Sequence, residues 1–296
     1  IDFNRTVKEA TNGQVLAGAF FGYLMELSWN SGFFAEGADS EYSSYQRSGH
    51  LGLRRVLESP YTDFLVSPYS YGCRGIGGEG PSMLPSELVR LHGKICIFEE
   101  DSRTHITVHD HPNYGKTDTL SDSIAVLQRN FAYVVTHGQG IWWLAGGGPT
   151  TPHIELSQQP AFRPLIRQFN EIATFALQLN RKPGAEIAVL LDDESFFYES
   201  VCNDLDLPLI FQQRLWGLPR LGAPHDTYLL QDFIEGRLLP YKLYIFLNPF
   251  RLDHTRREAL KRELCRDGRV AVWIYAPGYI QDDLSLANMT DLTGFT

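Results

Sequence analysis

Four apolar runs, at residues 15–21, 63–67, 95–98 and 140–145, set the strongest limit on what this chain can fold into. Each is apolar at consecutive positions rather than alternate ones, so both faces of each strand must be buried. An open antiparallel sheet with one wet face does not read that way, whereas parallel βα units covered by helices do. The segments between the runs carry helical spacing. Leu51, Leu53, Val56 and Leu57 share a face with Pro60 behind them as a stop, and Ile124, Leu127 and Phe131 line a helix over 121–137 with Gly138 as its cap. Residues 1–12 are also helical in pattern, ending at Gly13.

The third run, Ile95 to Phe98, ends abruptly in Glu99, Glu100 and Asp101, with Arg103 just beyond. A buried parallel strand empties its polar residues into a site at its C-terminal end in this manner. Three adjacent carboxylates repel one another. A nearby guanidinium holds one ionised while burial raises the pKa of another, which is a way to place a nucleophile beside an acid. A solvated acidic turn is the competing reading. The glycines at 75, 77, 78 and 80 follow the second run without a helix-opening Gly-Lys-Ser/Thr, so they predict a mobile loop over a site rather than a phosphate cradle.

Residues 159–180 predict a further amphipathic helix, and Lys182-Pro183-Gly184 marks a domain boundary. Beyond it, strands at 186–191, 228–230, 242–247 and 269–275 alternate with helical stretches at 209–221 and 254–266. That is the pattern of a second, doubly wound, flavodoxin-like α/β unit. It has no Gly-x-Gly-x-x-Gly fingerprint, so no dinucleotide is expected. Asp192-Asp193-Glu194 follows its first strand and reads as a solvated turn.

The chain has 296 residues, 43% hydrophobic and 12% aromatic, enough for a sizeable core. A net charge of −9 argues against nucleic acid or an anionic membrane surface as a partner. No apolar run approaches the roughly 20 residues of a membrane span. Cys73, Cys96, Cys202 and Cys265 are scattered without a CxxC pair, and read as reduced thiols of a cytoplasmic protein. The chain starts at Ile1 with nothing resembling a signal peptide, and reads as a fragment or a processed product.

Several strings together resemble glycoside hydrolase family 42 and its β-galactosidase-like relatives. They are Ser48-Gly-His-Leu-Gly-Leu, Phe64-Leu-Val-Ser-Pro-Tyr-Ser-Tyr71, His92-Gly-Lys, Glu99-x-Asp-x-Arg-Thr-His105, His137-Gly-Gln-Gly-Ile-Trp-Trp143, Tyr244-Ile-Phe-Leu-Asn248 and Trp273-Ile-Tyr-Ala-Pro-Gly278. The resemblance spans nearly the whole chain, although each motif alone is weak. It implies an α/β fold in which residues 1–181 form a half (β/α)₈ barrel, strands five to eight, and residues 182–296 a flavodoxin-like trimerisation-type domain. It places Glu99 at the end of the seventh strand, where the family carries its nucleophile, with Asp101 and Arg103 in support. Strand alternation puts Ile97 and Glu99 on one face. Glu100 is the alternative.

The resemblance further implies a retaining glycoside hydrolase acting on β-galactosides or related β-glycosides, without cofactor or metal, and a homo-oligomer, dimer or trimer. The family's acid/base is the Glu of an Asn-Glu pair at the end of strand four, which has no counterpart here. Retaining hydrolysis needs two carboxyl groups about 5–5.5 Å apart. Either the chain is part of a longer enzyme, or two half-barrels associate, or Glu100 or Asp101 is recruited. A non-catalytic carbohydrate-binding or assembly module is the alternative function, and no Gly-x-Ser-x-Gly elbow supports an esterase.

Aromatic planes stack on the C–H faces of sugars, so one of Trp142 and Trp143 is expected in the site and the other in the core. Tyr23, Tyr69, Tyr71 and His105 are further candidates for substrate contact. His105, His109 and His111 have the spacing of metal ligands but lack a second ligand cluster, so no metal is expected.

Overall fold

The computed structural model describes residues 1–29, 41–107, 114–144, 159–180, 182, 184–200 and 205–296. It is an α/β protein with two four-stranded sheets, both parallel throughout. The chain divides into two compact units. One comprises Ile1–Phe21, Pro60–Met83 and Gly93–Pro183, the other Gly22–Ser59, Leu84–His92 and Gly184–Thr296. The last changeover falls between Pro183 and Gly184. Residues 22–59 and 84–92, however, group with the second unit, which chain order alone does not reveal.

In the first unit the sheet runs β1 (Gly18–Phe20), β2 (Phe64–Pro68), β3 (Ile95–Glu100), β4 (Gly140–Trp143), in sequence order. The predicted first strand shrinks to three residues. Its start is fixed by close approach: a Cβ on Gly18 would sit 2.2 Å from the carbonyl oxygen of Phe64, its register partner. Alternation divides β3 cleanly. Cys96, Phe98 and Glu100 are buried, while Ile95, Ile97 and Glu99 on the opposite face are partly or largely exposed.

The buried face packs on the Leu120–His137 helix, which is capped by Thr119 at its start and by left-handed Gly138 at its end. Phe98 meets Tyr69 and Tyr133 at 5.1 and 5.4 Å, and Leu127, Phe131, Phe162, Leu165 and Phe169 form a cluster that also takes in the Arg163–Ala176 helix. On the other face, Phe20 of β1 and Trp142 of β4 approach to 5.7 Å between ring centroids. These strands are three ladder spacings apart, about 14 Å in a flat sheet. Their rings meet because the sheet curls toward that face.

In the second unit the order is β6 (His225–Leu229), β5 (Ile187–Leu191), β7 (Leu243–Phe246), β8 (Val270–Trp273). The strand order therefore reverses between β5 and β7. Asp192 and Asn248 follow these two strands and bind each other twice: Asp192 N–H donates to Asn248 Oδ1 at 2.8 Å, and Asn248 Nδ2 donates to Asp192 O at 3.0 Å. The solvated-turn reading of 192–194 is corrected at its first residue. Asp192 is 1% exposed and pairs with Arg256 at 2.6 Å, because the burial of β5 carries its following residue inside. The 209–221 stretch is helical but wound wide, with π-helical turns at Leu207–Phe211 and Gln213–Gly217 before a short 3₁₀ turn.

Cys73, Cys96 and Cys265 form no disulfide among the described residues, and Cys202 lies outside them. Among the described residues no helix is long and apolar enough to cross a membrane.

Candidate functional site

The site is built at the C-terminal end of β3, and the three adjacent carboxylates have three different environments. Glu100 faces the helix layer and is 1% exposed. Asn130 Nδ2 donates to its Oε2 at 2.9 Å, and the Ser102 backbone N–H donates to its Oε1 at 3.0 Å. Burial raises its pKa, the Asp101 charge adds to the rise, and the Ser102 and Asn130 hydrogen bonds pull the other way.

Asp101 is also buried, 7% exposed. Arg74 Nη1 donates to its Oδ1, Arg103 Nη1 lies 3.2 Å from its Oδ2, and the Tyr71 hydroxyl completes the set. Arg74 is itself 1% exposed, stacks on the Tyr71 ring at 4.2 Å, and donates through Nε to Tyr114 O at 2.8 Å. Burial first, and the Asp101 charge second, push the Tyr71 phenol far above its ordinary value. A carboxylate held by two guanidiniums and a phenol is committed to structure.

Glu99 alone of the three stands on the open face. It pairs in register with Pro68 on one side and Trp142 on the other. Burial raises its pKa, and the Asp101 charge adds to this; a hydrogen bond from Trp142 and the charges of Arg74 and Arg103 oppose it. The carboxyl is thus partly desolvated, within reach of one aromatic donor, and near the end of a parallel strand, where a reacting group is usually presented.

The aromatic candidates separate by face. Trp142 lies on Glu99's face against Phe20, whereas Trp143 stacks on Phe169 at 5.9 Å and 8° and belongs to the core. Tyr71 joins the cluster through Asp101 and Tyr114. Tyr69 does not. It is fully buried and its hydroxyl donates to Asn130 O at 2.9 Å, so the expectation that it lines a mouth is corrected: register places it with Ser67 on the helix-facing side. Tyr23 is corrected as well. It belongs to the second unit, where it is 5% exposed and stacks on His50 at 4.4 Å. His105 Nδ1 lies 2.9 Å from Ser123 Oγ, which also accepts the His105 backbone N–H, so that ring is held at the start of the Leu120–His137 helix. His109 and His111 lie outside the described residues. Among the described residues no group of three or more His, Cys, Asp or Glu side chains could hold a metal ion.

The glycine-rich loop is fastened rather than free. Arg129 donates to Arg74 O at 2.5 Å, Gly75 O at 2.8 Å and Gly78 O at 2.7 Å, and also to Asn130 Oδ1. Gly80 is required beneath it, with φ at +56° and a Cβ position 2.6 Å from the guanidinium. Arg74, Arg129 and Asn130 were missed by the sequence reading. The available signal was Asn130 itself, a polar residue three positions after Leu127 on the apolar stripe of a long helix.

No family model matches the chain, and no curated protein matches it by sequence. Among solved structures it is similar to the polyextremophilic β-galactosidase of the Antarctic haloarchaeon Halorubrum lacusprofundi, at 14% identity and a TM-score of 0.50, covering 78% of this chain and 38% of that one. It also matches a catalytic mutant of Gan42B, a GH42 β-galactosidase from G. stearothermophilus, at 11% identity and a TM-score of 0.45, covering 95% of this chain and 49% of that one. The chain thus spans less than half the length of these proteins. At this identity the first match shows likeness of fold.

Proposed function

We propose that this chain belongs to a retaining glycoside hydrolase of the β-galactosidase type and carries its nucleophile, Glu99. The observation that carries the reading is the sorting of the three carboxylates. Glu100 and Asp101 are saturated from within, and Glu99 is left on the curled face beside an exposed-side indole. The first unit is read as half of a (β/α)₈ barrel, supported by its strand order and by the Phe20–Trp142 approach across the sheet. The second is read as a flavodoxin-like, trimerisation-type unit, supported by the reversal of strand order at β5 and β7.

In the proposed reaction Glu99 attacks the anomeric carbon and forms a glycosyl-enzyme, which water then releases. Trp142 offers a stacking plane and a donor to the carboxylate, and Arg103 and Asp101, held by Arg74, set the charge around it. The leaving oxygen needs a second carboxyl group. Glu100 and Asp101 are spent on Asn130, Ser102 and the two arginines, so that group is another carboxyl, of the same protein or of a second copy. The same saturation favours one other reading, a carbohydrate-binding module derived from such an enzyme.

The test is hydrolysis of paired aryl β-galactosides and β-glucosides, one with an activated dinitrophenyl leaving group and one without. An activated leaving group departs with little protonation. Cleavage of the activated member alone, lost in Glu99→Gln, supports a nucleophile without its acid. Cleavage of both supports a complete site. Binding of sugar without cleavage of either, unchanged in Glu99→Gln, supports the binding module.

A further inference from the structure

Arg74 links a helix residue, Arg129, to the carboxylate beside Glu99, and every contact involved lies within the first unit. Arg129 stands on the Leu120–His137 helix and spreads its terminal nitrogens over the glycine-rich loop. Nη2 donates to Arg74 O at 2.5 Å, while Nη1 donates to Gly75 O at 2.8 Å and Gly78 O at 2.7 Å. Asn130 Oδ1 steadies the same guanidinium, accepting from Nη2 at 2.8 Å and from Nε at 3.1 Å. A planar fork with five donors suits a task that joins several acceptors in one fixed arrangement. The residue whose carbonyl is gripped then carries the connection onward. Arg74 Nη1 donates to Asp101 Oδ1, and its Nε donates to Tyr114 O at 2.8 Å.

Glycines at 75, 77, 78 and 80 give this loop little stiffness of its own. Arg74 is 1% exposed, and its buried Nη2 has no acceptor among the described residues. A buried guanidinium with one donor unmet is not placed by its own hydrogen bonds alone. Its position follows from where its backbone is held, and Arg129 holds it. The consequence reaches Glu99 through Asp101, two residues further on and about 7 Å away along an extended chain. The negative charge of Asp101 opposes a second charge on Glu99, and the Arg74 charge offsets it. Burial raises the Glu99 pKa and the Asp101 charge raises it further, whereas the hydrogen bond from Trp142 of β4 and the charges of Arg74 and Arg103 lower it.

We propose that Arg129 is a positioning residue for Glu99: by gripping three loop carbonyls it seats the Arg74 guanidinium on Asp101 and so sets the charge that faces Glu99. This role rests on the reading of Glu99 as the nucleophile, which must be ionised to attack. The sign follows from the groups present. When the loop is released, Arg74 moves off Asp101 and its offsetting charge is lost to Glu99. Asp101 keeps Arg103, whose Nη1 lies 3.2 Å from Oδ2, so its own negative charge persists. Glu99 then holds its proton to higher pH, and less of it is available as a carboxylate.

The test is a ¹³C carboxyl titration of Glu99 in the intact chain, in Arg129→Gln, in Arg74→Gln and in the double variant. The Glu99 midpoint moves to higher pH in each single variant. In the double variant it moves no further than in Arg74→Gln, because one route is cut twice. An unmoved midpoint in folded Arg129→Gln overturns the role, and so do shifts that add in the double variant. If Arg129→Gln does not fold, Gly80→Ala decides. Its Cβ falls 2.6 Å from Arg129 Nη2 and displaces the guanidinium while leaving it in the chain. An upward Glu99 midpoint there supports the role, and an unchanged one refutes it. Failure of the nucleophile reading shows separately, in the acidic limb of dinitrophenyl β-galactoside cleavage. A limb that stays while the titrated midpoint moves refutes Glu99 as nucleophile and leaves its coupling to Arg129 standing.

Discussion

Removing the amide of Asn130 tests whether the end of β3 is held as described. In Asn130→Ala the two hydrogen bonds that the amide donates are lost, one to the buried Glu100 carboxyl at 2.9 Å and one to Ser102 Oγ at 3.0 Å. A bond to a charged group is worth about 1.5–3 kcal/mol and a neutral one about 1 kcal/mol, so the expected loss is about 3 kcal/mol. Arg129 loses one acceptor but keeps its three loop carbonyls. The loss depends on pH. Burial already raises Glu100, so the folded chain holds that proton to higher pH than the unfolded chain does, and stability from this group declines as pH rises through the folded value. Without the Asn130 donor the charged form is worse still. The deficit of the variant is therefore larger near pH 7 than near pH 4.5. Urea unfolding at both values measures it. A loss under about 0.5 kcal/mol near pH 7, or one that does not shrink in acid, would refute the assignment of Asn130 and Glu100 as a coupled buried pair.

The two tryptophans should part company. Trp143→Ala, half-buried against the Phe169 cluster, should cost about 2–3 kcal/mol in denaturant unfolding, whereas Trp142→Ala should cost less and weaken sugar binding measured by calorimetry. Trp142→Phe removes the donor that holds Glu99 down, so the Glu99 midpoint in a ¹³C titration should move to higher pH; a downward move would contradict the hydrogen bond. Gly18→Val drives a side chain into the Phe64 carbonyl, and should abolish amide protection in β1 while sparing the second unit in hydrogen exchange.

The strands were legible because they are apolar at consecutive positions, but the expected burial of both faces does not hold in the first unit, where Ile95 and Phe20 are 48% and 46% exposed. Alternation within β3 also favours Glu99 over Glu100 from the residues alone. What the sequence did not reveal was the cost of holding those carboxylates. Arg74 sits in a glycine-rich loop that reads as mobile, and its partner Asp101 is 27 positions away. Nothing local marks Arg129 as the residue that fastens that loop. Tyr69 looked like a mouth residue because it follows a strand end. Its face, however, is set by register with β3, and it turns to the helices. Asp192 was read as solvated because acidic runs usually are, but Arg256, from a helix far along the chain, neutralises it in place.

The most direct test of the central claim is mass spectrometry after incubation with 2-deoxy-2-fluoro-β-galactosyl fluoride. Fluoride leaves without an acid, and the fluorine at C2 slows release of the glycosyl-enzyme, so the nucleophile is read independently of any second carboxyl. The account predicts one galactosyl adduct on Glu99, absent in Glu99→Gln. An adduct on Glu100 or Asp101, or no adduct on a chain that binds the reagent, would contradict it.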